Sequence, residues 1–434
     1  MVNHNRINAR PVYLVDGART PFLKARGRPG LFSAADLALA ATKPLINRFP
    51  FDASDLDEVI YGCVMPSADE TNIARIIALR IGGGDQLTAH TVQRNCASGL
   101  QAIDSAVRNI THGYSNLVLA GGVDAMSKAP LLLSEDMVHW LANFNQAKSL
   151  GQKVKTLSTL KGRYFSPIIA LLRGLTDPVV GLNMGQTAEE LAFRFNISRA
   201  QMDAYAVQSH LRLQAAIDSG VIQQEITALF SHKGKAYETD DGVRPDSSLE
   251  KLAKLKPFFD KPYGKVTPGN SSQITDGACS VILASEEAIQ QHKLKPIAKL
   301  NPAQWAGLDP AQMGLGPAHA ISKTLTNHQI ALADIDYWEI NEAFAAQVQS
   351  CVMALNDKDY CNNNLAQQTA MGLIPDDRLN IDGGAIALGH PVGASGVRIV
   401  LHLAHVLQRK HAKQGIASLC IGGGQGGSML VETV

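Results

Sequence analysis

Short apolar runs alternate along this chain with longer stretches in which apolar residues return every three or four positions. Residues 56–62, 117–122, 337–340 and 417–424 are of the first kind; 34–45, 100–110, 318–325 and 397–408 are of the second. Continuous apolar runs of that length suit strands covered on both faces, and the periodic stretches suit helices that cover them. The alternation predicts an α/β fold with buried sheets.

The order of these segments repeats. Leu56-Asp57-Glu58-Val59-Ile60-Tyr61-Gly62 follows the alanine-rich stretch 34–45, and Ile335-Asp336-Tyr337-Trp338-Glu339-Ile340-Asn341 follows the stretch 318–325. Next, Ala97-Ser98-Gly99-Leu100 is echoed by Ala394-Ser395-Gly396-Val397, each opening a helical segment that leads into an apolar strand ending in glycines. Two echoes in the same order predict two similar halves packed together. The division expected is 1–127 with 267–295 for the first half, 296–434 for the second, and an insertion at 128–266. Within the insertion, Ser198 and Gly220 bound one helix, 134–152 reads as a second and 168–174 as a short third. Lys148, Lys153, Lys155, Lys161, Arg163 and Arg173 surround the last two. A solvated lid packed on the core by its apolar face is one reading; a surface for a partner subunit or a membrane is the other.

Composition narrows the function classes. The chain has 434 residues, 45% hydrophobic and 18% charged, which supports a large core and two or three domains. A formal net charge of +1 without long single-sign runs gives no bulk electrostatic case for nucleic acid. No stretch approaches the ~20 apolar residues of a membrane span, and the N-terminus lacks the apolar core of a secretory signal. Cys63, Cys96, Cys279, Cys351, Cys361 and Cys420 are scattered, with no CxxC pair. Neither a disulfide framework nor a metal site is expected. The chain reads as soluble and cytoplasmic, in a reducing compartment where cysteines remain thiols.

Four clusters carry candidate chemistry. Gln93-Arg94-Asn95-Cys96-Ala97-Ser98-Gly99-Leu100 places Cys96 between a strand and a helix. Helix N-terminal N–H groups there favour a thiolate nucleophile, although a buried structural cysteine fits equally well. Asn380-Ile381-Asp382-Gly383-Gly384 through Gly389-His390-Pro391 holds His390 in a glycine-rich segment. The ring can act as a base or a donor, or as a structural hydrogen-bonding group. Cys420-Ile421-Gly422-Gly423-Gly424 lacks the Lys and Ser or Thr of a phosphate loop and runs into another strand, so it reads as a tight turn beside substrate. Asn341-Glu342-Ala343-Phe344 follows the strand 337–340.

Together these clusters resemble the thiolase family along almost the whole chain, with Gly269-Asn270-Ser271-Ser272 and Asn183-Met184-Gly185 similar to its coenzyme A and substrate-pocket segments. The resemblance implies a five-layered α/β/α/β/α fold, with the insertion as a loop domain over the active site. It implies an acyltransferase with Cys96 as nucleophile, His390 as its activating base and Cys420 as the second acid/base. Asn341, through a water, and His390 would serve an enolate oxygen; the N–H groups of Cys96 and Gly422 would serve the oxygen of the acylated cysteine. Ser272, Met184 and Phe344 match pantetheine- or substrate-contacting positions. Acyl-CoA and coenzyme A are then substrates, no cofactor is needed, and a homodimer or homotetramer is the family default. The insertion and Val15-Asp16-Gly17-Ala18-Arg19-Thr20-Pro21-Phe22 resemble β-subunits of β-oxidation complexes, which implies a candidate hydratase/dehydrogenase α-subunit partner and peripheral membrane contact. Those β-subunits usually carry His where this chain has Asn341, and segments 380–397 and 417–427 look closer to acetoacetyl-CoA thiolases. Degradative 3-ketoacyl-CoA cleavage is the first expectation and acetoacetyl-CoA chemistry the second. A ketosynthase would replace the Cys420 function with histidine, and a non-catalytic scaffold would have lost one of Cys96, His390 or Cys420.

Overall fold

The computed structural model describes residues 10–434, so segment 1–9, on which the absence of a leader was read, lies outside the described residues. In the first half, five strands lie in the order Thr88–Val92, Glu58–Gly62, Leu117–Ala125, Thr275–Ala284, Val12–Arg19. The first three are parallel and the last two antiparallel to their neighbours. The second half repeats this with Tyr337–Ile340, Gln414–Ile421, Gln425–Glu432 and the split strand Ala298–Leu300 and Gln304–Gly307. Its outer strand shrinks to one bridge between Trp338 and Leu379. Ala298–Leu300 pairs with both halves and makes the hydrogen-bonded path continuous.

Two central helices, Ser98–Thr111 and Val392–Lys410, pack on each other, and the second touches strands of both halves. Ala34–Ile46 covers the outer face of the first sheet and Gly316–His328 that of the second. Five layers result, and side-chain alternation along the strands sorts the core into three clusters. Val118 and Ala120 face the central helices while Leu117 and Leu119 face Ala34–Ile46; Ala417, Leu419 and Ile421 face the centre while Ile416 and Cys420 face outward. This is the predicted α/β fold. The central helices touch by backbone: a Cβ on Gly99 would lie 2.5 Å from the Gly393 carbonyl oxygen, and one on Gly396 2.4 Å from the Leu100 nitrogen. Only glycine permits that crossing.

The two halves differ most in one connection. Gln414–Ile421 turns into Gln425–Glu432 through Gly422, Gly423 and Gly424, the latter two at φ of 90° and 74°. The corresponding strands Leu117–Ala125 and Thr275–Ala284 are separated by the insertion. There the structure departs from the expected helices. Segment 134–152 forms two helices, Glu135–Gln146 and Leu150–Leu157, because Ser149 and Gln152 make a capping box that starts a second one. The Trp140 indole N–H donates to the Thr156 carbonyl at 2.9 Å and closes this hairpin. Segment 168–174 is a strand pair partner, Ile168–Ile169, running into the short helix Ala170–Gly174. The apolar side chains of this part do not pack on the core, since Leu131, Leu150, Val154 and Phe165 are 67%, 80%, 58% and 62% exposed. The helix Arg199–Asp218, with its Ser198 capping box, does pack inward through Met202, Tyr205 and Leu213. No helix among the described residues is long and apolar enough to cross a membrane.

Candidate active site

Cys96 sits in the turn between Thr88–Val92 and Ser98–Thr111, after Asn95 at φ 42°. Ser98 ties the turn: its Oγ accepts from Arg94 N at 2.9 Å and donates to the Asn95 carbonyl at 2.7 Å. Ala97 and Ser98 N–H groups donate to the carbonyls of Arg94 and Asn95. These donors are therefore spent inside the turn, and the expected lowering of the thiol by the helix N-terminus does not occur. Burial pushes the Cys96 thiol up; the N–H groups of Gly422 and of Cys96 itself oppose this, and the Asp124 carboxylate adds to it. Cys96 rests as a thiol and needs a base to react.

Gly422 reaches this sulfur because the Asn95 side-chain amide donates to the Gly422 carbonyl at 2.8 Å, lashing the glycine turn to the cysteine turn. A Cβ on Gly422 would point at Met184 Sδ, 3.4 Å away. Met184 opens the helix Met184–Arg194, so the insertion reaches the two turns. Cys420, two residues earlier on the buried strand, has its thiol pushed well up by burial, then by the neighbouring sulfurs of Cys96 and Cys351. All six cysteines are free, and Cys96 is the partly exposed one. Cys351 lies beside Cys420 and donates to the Gly314 carbonyl at 3.1 Å.

His390 and Asn341 complete the set. The Gly99–Gly393 contact brings the two central helix N-termini together, with Cys96 three residues before Gly99 and His390 three before Gly393. His390 Nδ1 lies 2.6 Å from Ser395 Oγ, and that hydroxyl donates to the Pro391 carbonyl at 3.1 Å. Ser395 has one proton and spends it on Pro391, so Nδ1 is the protonated nitrogen and Nε2 carries the lone pair. Nε2 is buried with no partner among the described residues. Burial, then the charge of Arg398, pushes the ring down to about 4, which favours the neutral form with its lone pair free. Asn341 is fully buried at the end of Tyr337–Ile340, and its Nδ2 also lacks a partner. Two unpartnered buried polar groups at one end of the sheets mark a place built for a ligand.

Phe344 and Ser272 lie on the adjoining wall. Ser272 N donates to the Ala343 carbonyl at 2.9 Å, Ser271 bridges Phe344, and Phe344 meets Phe259 edge-on at 6.0 Å.

Four supporting residues were missed by sequence reasoning. Asp124 accepts from Met65 N at 2.9 Å and Gly393 N at 2.6 Å, and burial raises its carboxyl to about 6. Glu342 accepts from Tyr205 and Ser209 hydroxyls at 3.0 and 2.6 Å, fastening the insertion to the Asn341 loop. Ser395 sets the His390 tautomer; its place in the repeated Ala-Ser-Gly echo was the available signal. Arg398 faces both Glu339 and Asn341. Among the described residues no group of three or more His, Cys, Asp or Glu side chains is arranged to hold a metal ion.

Residues 12–287 match the N-terminal thiolase domain and residues 294–433 the C-terminal one. The chain belongs to the thiolase family. It is 37% identical over 427 residues to the human mitochondrial trifunctional enzyme subunit beta, covering 98% of this chain and 89% of that one. It is 38% identical over 433 residues to the beta-ketoadipyl-CoA thiolase of Pseudomonas knackmussii, covering 98% and 100%. Human mitochondrial 3-ketoacyl-CoA thiolase in complex with CoA superposes with a TM-score of 0.83 at 36% identity, covering 98% of each chain. The thiolase frame and the duplicated α/β layers are thus the same object.

Proposed function

We propose that this thiolase cleaves 3-ketoacyl-CoA with coenzyme A, giving acetyl-CoA and a shortened acyl-CoA. The observation that carries the reading is the pair of neighbouring thiols, Cys96 and Cys420, at the end of the molecule where the unpartnered His390 Nε2 lies. Cys96 gives its proton to His390 Nε2, and the sulfur attacks the keto carbon. The C2–C3 bond breaks, its electron pair moves into the thioester enolate, and Cys96 is left acylated. The proton now on Nε2, with a water on Asn341 Nδ2, steadies the enolate oxygen. Cys420 protonates C2, then takes the proton of incoming coenzyme A, whose sulfur displaces the acyl group from Cys96, and Cys96 recovers its proton from His390 Nε2. The N–H groups of Cys96 and Gly422 steady the oxyanion at the acylated sulfur; losing one such donor typically costs ~100- to 1,000-fold. Met184, Phe344 and Ser272 line the substrate's approach.

Asn341 supports a second reading, in which acetoacetyl-CoA is formed or cleaved by the same residues. Thiolysis across short, medium and long acyl chains separates the two: activity on medium and long chains supports the first, and activity confined to the four-carbon substrate supports the second.

The insertion carries a further proposed role, contact with an anionic lipid surface. Its exposed Leu131, Leu150, Val154 and Phe165 lie among Lys148, Lys153, Lys155 and Lys161, while Arg163 is paired with Asp136 at 3.2 Å. Binding to anionic vesicles that falls with salt supports it, since exposed charges are screened over ~8–10 Å. Binding only to an α-subunit, or to no surface, contradicts it. A homo-oligomer fits the strand Thr88–Val92, whose outer edge carries no strand among the described residues.

A further inference from the structure

Beneath the site runs a buried chain of charges that no step above uses. Arg398, on the central helix Val392–Lys410, is 3% exposed and donates through Nη1 to Glu339 Oε2 at 2.9 Å. Its Nη2 donates to Asn341 Oδ1 at 3.4 Å. Glu339 and Asn341 are two residues apart at the end of one strand, so their side chains share a face and one guanidinium can reach both. Behind Glu339 stands His402, whose Nε2 is 3.9 Å from Glu339 Oε1 and 3.2 Å from Asp382 Oδ2. His402 Nδ1 lies 2.6 Å from Glu225, which also meets the buried Arg19 at 3.3 Å.

We propose that Arg398 is a positioning residue of the thiolase reaction, anchored by Glu339 so that it turns the N–H edge of Asn341 into the site. An amide has one acceptor and one donor edge. With Arg398 donating to Oδ1, Nδ2 must face away from the guanidinium; the flipped amide would set donor against donor in a buried place. Asn341 Nδ2 is the atom without a partner, so the free edge is the one the enolate pocket needs. A lysine could pair with Glu339 but has no planar fork to hold the amide as well. The same guanidinium charge reaches the His390 ring and disfavours its protonation. The inference rests on the enolate role proposed for Asn341.

Two half-reactions of acetyl-CoA test it. One is acetylation of Cys96, read by mass spectrometry. The other is exchange of the C2 hydrogens in deuterated water, in which Cys420 removes a proton, the electron pair moves onto the thioester oxygen, and a deuteron returns. Arg398→Lys keeps a cation for Glu339 and should lower exchange at least ~10-fold, a fraction of the loss of a whole oxyanion donor, while acetylation stays within about threefold. Asn341→Ala and the double variant should exchange at the same rate, because lysine keeps the charge that reaches His390 and loses only the hold on the amide. Glu339→Gln, which keeps the arginine and frees it, should slow exchange in the same sense. Equal losses in both half-reactions, additive effects of Arg398→Lys and Asn341→Ala, or wild-type exchange in Arg398→Lys and Glu339→Gln would overturn the inference. A wild-type protein that acquires no acetyl group would instead overturn the proposed function.

Discussion

In the first half of the molecule the turn entering the central helix ends in Ala97-Ser98-Gly99; in the second half it ends in Ala394-Ser395-Gly396. Ser98 Oγ accepts from Arg94 N and donates to the Asn95 carbonyl, so it fixes the backbone that presents the Cys96 sulfur. Ser395 Oγ donates to the Pro391 carbonyl and accepts from His390 Nδ1, so it fixes an imidazole instead. The position matching Cys96 is Gly393, whose N–H donates to Asp124 and whose backbone lies against Gly99 and Gly122. Duplication supplies one frame twice, and the residues just ahead of each helix decide which half carries the proposed nucleophile and which the proposed base. Glycines at the crossing bring the two turns close enough to work on one substrate.

The sharpest way to break this division is to remove each partner and compare half-reactions. His390→Ala should slow acylation of Cys96 by ~100- to 10,000-fold, the usual worth of a general base. Cys420→Ala should still acylate but lose C2 hydrogen exchange by a similar factor. Equal effects of both variants on both half-reactions would erase the distinction between the turns.

A smaller effect separates the two serines. Ser395→Ala frees the ring and should cost up to ~100-fold in acylation through misplacement. Ser98→Ala removes the acceptor of the part-buried Arg94 N–H and one of the two donors to the Asn95 carbonyl, and should cost about 1 kcal/mol of stability. If Ser98→Ala left stability unchanged and Ser395→Ala left acylation unchanged, the shared frame would have no consequence.

The pH profile gives the mildest test. His390 is pushed down to about 4, so its neutral, base-competent form persists as pH falls from 7 to 5 and is lost only near 4. Its depressed value also means that its contribution to stability is present above about 6.5 and disappears as pH falls through about 4. Asp124, raised to about 6, works in the opposite sense, because losing its charge relieves the Cys96 thiolate. An acid limb of acylation centred at the ordinary histidine value, and abolished in no variant but His390→Gln, would contradict the buried, neutral ring.

Much of this was legible in the chain. The echo of 56–62 by 335–341 and of 97–100 by 394–397 announced the two halves, since each echo is a strand or helix start whose burial fixes its pattern. Cys96, His390, Cys420 and Asn341 stood out because their glycine-rich or helix-opening surroundings are local in sequence. Asp124, Glu342 and Arg398 did not, because each acts on residues brought near by the fold: Asp124 reaches Gly393 and Arg398 reaches Glu339; Ser395 acts locally on His390, and only its place in the repeat pointed to it. The hairpin break at 147–149 was hidden because Ser149 competes with a helix by capping the next one, a choice that periodicity does not record. The thiol of Cys96 was misjudged for a similar reason, since the turn consumes donors that an isolated helix end would offer.

Brief exposure of the protein to acetyl-CoA, followed by mass spectrometry of its peptides, addresses the division of labour between the two turns most directly. The acetyl group should appear on the peptide containing Cys96 in the wild type and in Cys420→Ala, appear slowly in His390→Ala, and be absent from Cys96→Ser. Full labelling retained in Cys96→Ser, or an acetyl group found on Cys420 in the wild type, would contradict the account.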